Sequence, residues 1–246
     1  MIRRHLKGVR RVVLVLSGKG GVGKSVASAA LAAQLARAGK RVGLIDADVY
    51  GPSAALLFNS TSFPEEKEEG LIPPMVGGVK LMSVDLFASG RPIPLTGHGA
   101  SQVMLELLAL TDWGELDFLV VDMPPATGDI MLTLTSVGKK QLEAIVVTMP
   151  DLLSTSVAHR VLELLNSGGI PTMGVLENMS RPSKGRVAGG GKGSRALAKE
   201  FGVEFLGAIP YDPGIADAVE KQDIGVLLAT GFAKQLRRSV TSRLLH

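Results

Sequence analysis

Residues 11–25 read Arg-Val-Val-Leu-Val-Leu-Ser-Gly-Lys-Gly-Gly-Val-Gly-Lys-Ser, an apolar run of strand length followed by a glycine-rich loop. The loop satisfies the pattern G-x-x-x-x-G-K-[ST], in which glycines let backbone N–H groups surround phosphate oxygens. In such loops the lysine reaches the β- and γ-phosphates and the hydroxyl binds Mg²⁺, which assigns these roles to Lys24 and Ser25. The predicted nucleotide-binding residues of this stretch are Gly18, Gly20, Gly21, Val22, Gly23, Lys24, Ser25 and Val26.

The same glycines also satisfy the dinucleotide pattern G-x-G-x-x-G, and Asp46 stands where such a site holds its ribose. Three features argue against that interpretation. A nicotinamide site has no role for the pair Lys24-Ser25. Asp122 closes an apolar strand where a Mg²⁺-organising carboxylate is expected, and a further acid, Asp48, follows Asp46. The sequence therefore predicts a nucleoside-triphosphate site.

Short apolar runs alternate with longer helical patterns along the chain. Several runs are apolar at consecutive positions, which is typical of strands buried on both faces of a parallel sheet. The predicted strands are 11–16, 41–46, 79–84, 118–122, 144–148, 172–176 and 204–208. The predicted helices include 24–38, 100–110, 153–166, 193–201 and 213–220. This alternation predicts an α/β fold with a doubly wound, mostly parallel sheet flanked by helices, the P-loop NTPase fold.

Length and composition predict a single domain over residues 1–246. The chain is 46% hydrophobic and 20% charged, which is too apolar for disorder and sufficient for one large core. Three segments depart from the regular pattern. They are a Pro-rich insertion at 59–99, expected to lie with short strands over the sheet edge, a Gly-rich mobile loop at 181–193, and a basic C-terminal helix at 231–246.

The chain has no cysteine, which excludes disulfides, thiolate zinc sites and cysteine-ligated iron–sulfur clusters. Only 4% of residues are aromatic, which argues against a stacking platform for single-stranded nucleic acid. The formal charge is +4, with much of the excess at the two ends. Solvated termini are the favoured interpretation, and contact with an anionic membrane, nucleic acid or an acidic partner is the alternative. No apolar run reaches the ~18 residues of a membrane span and no signal-peptide pattern is present, so a cytoplasmic location is expected.

Four motifs in chain order carry a resemblance to a known family. They read Lys-Gly-Gly-Val-Gly-Lys-Ser at 19–25, Asp-Ala-Asp-Val-Tyr-Gly-Pro-Ser at 46–53, Asp-Met-Pro-Pro-Ala-Thr-Gly-Asp at 122–129 and Glu-Asn-Met-Ser at 177–180. The first resembles the deviant phosphate loop of the MinD/ParA/nitrogenase-iron-protein ATPases, and the other three resemble the Mrp-type branch of that group. The match covers about residues 11–220.

The resemblance implies an ATP hydrolase that works as a nucleotide-sandwich homodimer, in which Lys19 reaches the partner's ATP and neutralises charge in the transition state. Asp48 would position or activate the attacking water, and residues 124–129 would form the switch that senses the γ-phosphate. The alternative role for Asp46 is a helix or turn cap. The candidate catalytic residues are Lys19, Lys24, Asp48 and Asp122, and the candidate Mg²⁺ ligands are Ser25, Asp46 and Asp122, the acids through water.

Asn178, at the end of a predicted strand, is the candidate for recognising the base. Guanine recognition requires an Asn-Lys-x-Asp constellation, and residues 177–181 offer no such aspartate, so adenine and hence ATP is favoured. By the resemblance, Pro210, Tyr211 and Asp212 would wall the base.

The client of the ATPase is less constrained by the sequence. The Mrp-type branch that carries iron–sulfur clusters has a Cys-x-x-Cys after its Asn-Met-Ser motif, whereas residues 181–191 contain no thiol, so no iron–sulfur cluster is expected on this chain. A cysteine-free relative can still act through a metallochaperone or an apo-metalloenzyme client. Segments 72–83, 91–96 and 113–117 resemble the HypB-type ATPases of archaeal nickel–hydrogenase maturation, for which a nickel chaperone would dock on the dimer.

The rival class is a MinD/ParA-like positioning ATPase that binds membrane or DNA in its ATP form. Apolar residues recur at i, i+4 spacing beside basic ones near the C-terminus, as in a membrane-anchoring amphipathic helix. The favoured alternative is a final helix that packs its apolar stripe on the sheet. The stripe consists of Phe232, Leu236, Val240 and Leu244.

Overall fold

The computed structural model describes residues 2–46, 48, 53–88, 97–124, 141–183, 186–188 and 192–246. The strands are β1 (Val9–Leu16), β2 (Val42–Asp46), β3 (Glu65–Lys67), β4 (Gly70–Ile72), β5 (Met75–Val76), β6 (Val79–Ser83), β7 (Leu116–Asp122), β8 (Leu142–Thr148), β9 (Thr172–Ser183), β10 (Arg186–Ala188) and β11 (Glu204–Pro210). The helices are α1 (Ile2–His5), α2 (Lys24–Arg37), α3 (Ala54–Leu57), α4 (Asp85–Ala88), α5 (Gly97–Leu110), α6 (Leu152–Gly168), α7 (Lys192–Glu200), α8 (Gly214–Glu220), α9 (Ile224–Ala229), α10 (Gly231–Leu236) and α11 (Ser242–Leu245). A π-helical stretch, Arg237–Thr241, joins α10 to α11.

The main sheet has the strand order β10-β9-β8-β1-β7-β2-β6-β5, and β11 also pairs with β9. Its pairs are parallel except at β5–β6 and β9–β10. Strand β1 lies between β7 and β8, so the loop after β1 emerges at the middle of the carboxyl edge of the sheet. In open α/β sheets, ligands bind at this edge. The predicted doubly wound, mostly parallel sheet is confirmed.

Each face of the sheet carries its own hydrophobic core. In β1, Val13 and Val15 belong to the core beneath α2 and the C-terminal helices, whereas Val12 and Leu14 belong to the core beneath α5 and α6. Because side chains alternate across a strand, a strand covered on both faces must be apolar at consecutive positions. This explains the uninterrupted apolar run that precedes the glycine-rich loop.

Two of the irregular segments contain strands. Within 59–99, β3 and β4 form a separate two-stranded sheet, and β6, the strand predicted at 79–84, belongs to the main sheet and pairs in parallel with β2. Within 181–193, β9 continues to Ser183 and forms an antiparallel pair with β10, so part of the expected loop is a hairpin. Residues 89–96, 184–185 and 189–191 lie outside the described residues.

The apolar stripe of the C-terminal segment is buried. Phe232, Leu236, Val240 and Leu244 are at most 2% exposed and belong to the same core as α2. The stripe therefore packs on the body of the protein, as the favoured interpretation expected. In the described part of the chain, no helix combines the length and apolarity that a membrane crossing requires.

Gln34 of α2 links the C-terminal segment to the helix of the phosphate loop. Its Nε2 donates to the carbonyl of Ala233 at 2.7 Å, and its Oε1 accepts from the hydroxyl of the buried Thr241 at 2.5 Å. A buried hydroxyl that loses its partner costs about 1–3 kcal/mol.

We expect Gln34→Ala to lower the free energy of unfolding by about 1–3 kcal/mol, because the buried Thr241 hydroxyl loses its acceptor. Gln102→Ala is the matched control, since Gln102 also lies on a 14-residue helix but its bond to Glu106 is exposed. The control should change the free energy by less than about 0.5 kcal/mol. Urea denaturation of both variants checks the difference, and equal losses would contradict a structural role for Gln34.

Candidate functional site

The loop between β1 and α2 is packed on one side and open on the other. A Cβ at Gly23 would lie 2.4 Å from Asn178 Nδ2, and one at Gly18 would lie 2.5 Å from Val157 Cγ1. No described atom comes within 4 Å of the corresponding positions at Gly20 and Gly21. Gly21 and Gly23 also have φ of +76° and +85°, a region that favours glycine. The loop thus presents an open backbone surface of the kind that receives phosphate.

Lys24, the first residue of α2, points back to the end of β7. Its Nζ lies 2.6 Å from Asp122 Oδ1 and 3.3 Å from Ser25 Oγ, and the lysine side chain is only 7% exposed. Ser28 Oγ donates to the same oxygen of Asp122 at 2.9 Å. The structure therefore brings the predicted phosphate lysine, the loop hydroxyl and the acid of β7 into one cluster.

The second carboxylate oxygen of Asp122 is the candidate ligand for a cation in this cluster. Asp122 Oδ2 is buried and has no hydrogen-bond partner among the described atoms. A buried carboxylate oxygen without a donor is unfavourable unless a ligand or water supplies its partner. Carboxylate oxygen is also a ligand type that Mg²⁺ prefers. Because Asp122 offers this buried oxygen, the residues of the cluster fit a Mg²⁺ site.

Asp46 lies beside Asp122 at the carboxyl edge, since the two are register partners in β2 and β7. Its Oδ1 accepts from the amide of Asp48 at 3.1 Å, and its Oδ2 accepts from the amides of Ser53 and Ala54 at 2.8 and 2.9 Å. These contacts are those of the helix or turn cap considered above. Burial, and secondly the charge of Asp122, raise the pKa of Asp46 to about 7 although the three amides oppose the shift.

The other two predicted catalytic residues are Lys19, in the loop after β1, and Asp48, which follows β2. The side chain of Lys19 is exposed, and its charge helps to lower the pKa of Asp151, after the stronger effect of hydrogen bonds from Ser154. Lys19 is therefore close to the start of α6. Asp48 is half-buried, and its backbone amide donates to Asp46.

Asn178 supports the phosphate loop from β9. Its side chain is buried, and its Nδ2 donates to the carbonyl of Val22 at 2.9 Å. The next residue, Met179, has a φ of +56°, which is uncommon for a residue other than glycine and turns the chain at this contact. Base recognition by Asn178 stays a prediction, but its amide nitrogen already holds the loop.

The three residues predicted to wall the base follow one another at the end of β11. Pro210 is in register with Ser180 of β9, and Tyr211 is 63% exposed. Asp212 has a structural use, since its two carboxylate oxygens accept from the amides of Gly214 and Phe232 at 2.9 and 2.7 Å. It thereby connects the loop after β11 to the first turn of α10.

No role was predicted from the sequence for two polar residues of the site. Ser28 contacts Asp122, and its position four residues after Lys24, on the same face of α2, was the available signal. Glu177 is fully buried and accepts from Ser180 Oγ at 3.1 Å and Ser194 Oγ at 2.7 Å. Its signal was an acid at the end of an otherwise apolar strand. Of the predicted switch at 124–129, residues 125–129 lie outside the described residues.

Asp46 makes the stability of the nucleotide-free protein depend on pH. Its pKa in the folded chain is about 7 against an ordinary value of 3.8, so between these values the folded state holds a proton that the unfolded state releases. We expect the free energy of unfolding to fall as the pH rises from about 5 to about 7, by up to about 1.4 kcal/mol per pH unit. Urea denaturation across this range checks it, and Asp46→Asn should flatten the slope. Parallel profiles for the two proteins would contradict the assignment.

Comparison with known proteins places this geometry in a family. The family model described as ParA, NUBPL iron-transfer P-loop NTPase, matches residues 8–243. A protein of Rickettsia conorii named iron–sulfur cluster carrier protein is 35% identical over 221 residues, which cover 89% of this chain and 67% of the relative. A protein of the same name from Saccharolobus solfataricus is 35% identical over 227 residues, which cover 88% of this chain and 76% of the relative.

Solved structures show the same fold. A nucleotide-binding protein of Archaeoglobus fulgidus, in complex with ADP, superposes with a TM-score of 0.74 at 32% identity over 90% of each chain. The cell division ATPase MinD of Pyrococcus furiosus gives a TM-score of 0.69 at 19% identity, over 96% of this chain and all of that one, which is a likeness of fold. The phosphate loop, its buried lysine and acid, and these matches show that the chain is an ATP hydrolase that belongs to the ParA-type family of NUBPL iron-transfer P-loop NTPases.

Proposed function

We propose that this chain is a Mg²⁺-dependent ATPase that works as a nucleotide-sandwich homodimer and drives the assembly or delivery of a metal cofactor. The observation that carries the proposal is the buried cluster at the carboxyl edge, where Lys24 lies 2.6 Å from Asp122 and Asp46 lies beside it in register. A lysine and two acids at the mouth of a phosphate loop are the groups that triphosphate hydrolysis requires. The protein would act in the cytoplasm.

Ser25, Asp122 and, through water, Asp46 would hold the Mg²⁺ ion in this proposal. The buried Asp122 Oδ2, with no hydrogen-bond partner among the described atoms, supports the assignment. When bound, the ion neutralises charge on the β- and γ-phosphates. Ser25 Oγ lies 3.3 Å from Lys24 Nζ, so its hydroxyl belongs to the same cluster.

Lys24 would bind the β- and γ-phosphates. The ammonium group of Lys24 is paired with the carboxylate of Asp122, so a phosphate would compete with this carboxylate for it. A triphosphate carries several negative charges and can accept at more than one oxygen, which favours the exchange. Asp48 would position the attacking water, and Lys19 of a second copy would stabilise the charge that develops in the transition state.

Adenine is the base that we propose for the nucleotide. The similar Archaeoglobus fulgidus protein was solved with ADP at 32% identity, which supports this choice. Asn178 lies on β9 two residues before Ser180, which is the register partner of Pro210 at the end of β11. The exposed Tyr211 ring is available to cover a base, whereas the carboxylate of Asp212 is held by backbone amides.

The client would be a protein that holds a metal. The relatives from Rickettsia conorii and Saccharolobus solfataricus are named iron–sulfur cluster carrier proteins, and the family description is iron transfer, which supports a role in metal-cofactor delivery. This chain has no cysteine, so it offers no thiolate to a cluster. The ligands must then come from a metallochaperone or an apo-metalloenzyme, with iron–sulfur or nickel cargo.

A positioning role on membrane or DNA is the second candidate, and the fold shared with MinD favours it. A membrane anchor at the C-terminus would need an exposed apolar stripe. Here Phe232, Leu236, Val240 and Leu244 are buried against the core. This burial makes cofactor delivery the better supported function.

Substitutions of the two loop lysines should impair different steps, ATP binding for Lys24 and ATP hydrolysis for Lys19. Lys24→Ala should weaken ATP binding by at least about 100-fold, because the phosphates lose their charged donor. Lys19→Ala should bind ATP within about threefold of the wild type and lose hydrolysis by about 10³-fold, as when a charge supplied in trans is removed. Titration calorimetry and a phosphate-release assay measure both, and the exposed Lys221→Ala is the control. Unchanged turnover in Lys19→Ala would rule out its role across the dimer.

The client class can be read from a trapped complex. Asp48→Ala should bind Mg-ATP without hydrolysing it, so a client that binds the ATP form should remain attached. We expect capture from the source cell and mass spectrometry to enrich metal chaperones, apo-metalloenzymes or cluster-assembly proteins. Lys24→Ala, which should not bind nucleotide, is the control. Enrichment of division, chromosome or membrane proteins would replace cofactor delivery by the positioning role.

A further inference from the structure

Ser28 places a hydroxyl group on the buried side of α2, where nearly all other residues are apolar. It is 1% exposed and lies one turn after Lys24. Apart from these two, the buried residues of α2 are all alanine or leucine. Alanine is smaller than serine and favours the helical conformation more strongly. Neither packing nor helix formation therefore accounts for the hydroxyl at position 28.

The Ser28 hydroxyl contacts the acid at the end of β7. Its Oγ lies 2.9 Å from Asp122 Oδ1 and 3.1 Å from the carbonyl oxygen of Lys24. A hydroxyl group has a single hydrogen to donate, and a carboxylate is a stronger acceptor than a carbonyl. The shorter contact and the stronger acceptor both favour the bond to Asp122. This bond joins α2 to β7 across 94 positions of the chain.

Two donors of α2 share one carboxylate oxygen of Asp122. Lys24 Nζ lies 2.6 Å from the same Oδ1 that Ser28 contacts, whereas Oδ2 has no hydrogen-bond partner among the described atoms. The terminal torsion of an aspartate is broad, so the side chain itself does not fix the orientation of its carboxylate. The donors on Oδ1 therefore determine which oxygen is left for a ligand.

Of these two donors, Ser28 can keep its contact when a nucleotide binds as proposed above. The ammonium group of Lys24 would then bind the phosphates, which compete with Asp122 for it. Ser28 carries no charge that a phosphate would attract, so it would remain as the described side chain that donates to Asp122 Oδ1. A buried carboxylate oxygen without a donor is unfavourable. The serine would thus keep Asp122 oriented after Lys24 has left it.

We infer that Ser28 is a positioning residue for ATP hydrolysis, which holds Oδ1 of Asp122 so that Oδ2 is presented to the cation. The inference rests on the proposed Mg²⁺ dependence and on the proposed binding of phosphate by Lys24. Ser28 acts through Asp122 and is itself neither a metal ligand nor a phosphate donor. Residues that orient a metal ligand in this way typically change metal affinity by about 10–100-fold when they are replaced.

The test measures how Ser28→Ala changes the binding of Mn²⁺, a paramagnetic substitute for Mg²⁺, to the ADP complex. Electron paramagnetic resonance counts the free Mn²⁺, with protein in excess over ADP so that all the nucleotide is bound. Ser28→Ala should weaken Mn²⁺ binding by about tenfold. The affinity for ADP in EDTA, measured by calorimetry, should stay within about threefold of the wild type, since no cation then depends on the orientation of Asp122.

Thr111→Val is the matched control. Thr111 is fully buried, and its hydroxyl donates to the carbonyl four residues earlier, as the Ser28 hydroxyl can, but it contacts no carboxylate in the described part of the chain. The control should leave both affinities within about twofold of the wild type, because it lies away from the cluster. Ser28→Ala should unfold within about 4 °C of the wild type, because alanine favours the helix and fits the buried face.

The outcomes separate this inference from the proposed function. If the wild-type ADP complex does not bind Mn²⁺, the proposed metal dependence is wrong and the inference fails with it. If the wild type binds Mn²⁺ and Ser28→Ala binds it equally tightly, the metal dependence stands and the positioning role is wrong. A purely structural role would appear as a larger drop in the unfolding temperature, or as equal weakening of ADP binding with and without Mn²⁺. Either of these results would also overturn the inference.

Discussion

Lys24 and Asp122 form an ion pair of 2.6 Å that is withdrawn from water, with 7% and 1% of the two side chains exposed. Burial removes the hydrating water of both charges, and their mutual attraction roughly offsets this desolvation cost. The ion pair therefore adds little net stability. Its effect is on position. It ties the first turn of α2 to the end of β7 and thereby fixes both ends of the glycine-rich loop between β1 and α2. The lysine that is predicted to bind phosphate is thereby held by the acid that is the candidate Mg²⁺ ligand.

Asp46 extends this constraint to α3. It is the register partner of Asp122, and its carboxylate accepts from the amides of Ser53 and Ala54, where α3 begins. A carboxylate that caps a helix end must stay charged to hold its donors well, yet burial and the neighbouring acid both disfavour the charge. The position of α3 and the charge at the end of β7 are thus linked by a single side chain.

The sequence predicted the parts of this structure that an apolar pattern or a motif specifies. Consecutive apolar residues in β1 predicted a strand buried on both faces, and motif spacing predicted the Lys24–Ser25–Asp122 cluster. The missed contacts join residues far apart in sequence. Asn178 donates to Val22 across 156 positions, and Asp212 accepts from Phe232. The spacing of a motif indicates which residues contact a ligand. It does not indicate which distant backbone atoms form hydrogen bonds with a side chain in the folded protein. The apolar run at 79–84 likewise predicted a strand, β6, but not that β2 is its partner.

The chemical groups of the proposed nucleotide site differ from the groups that ligate an iron–sulfur cluster. In the proposed site, ammonium, hydroxyl and carboxylate groups at the carboxyl edge would bind and cleave the nucleotide, whereas a cysteine-ligated cluster needs thiolates, which this chain does not contain. In the proposed function, the ATP cycle would therefore act on a metal that another protein holds. Asn178 holds the phosphate loop at Val22, and the adjacent Glu177 accepts from Ser180 and Ser194, which stand on either side of residues 181–191. Two neighbouring side chains of β9 therefore connect the glycine-rich loop to the residues that flank 181–191, the segment where the Mrp-type branch carries its cysteines.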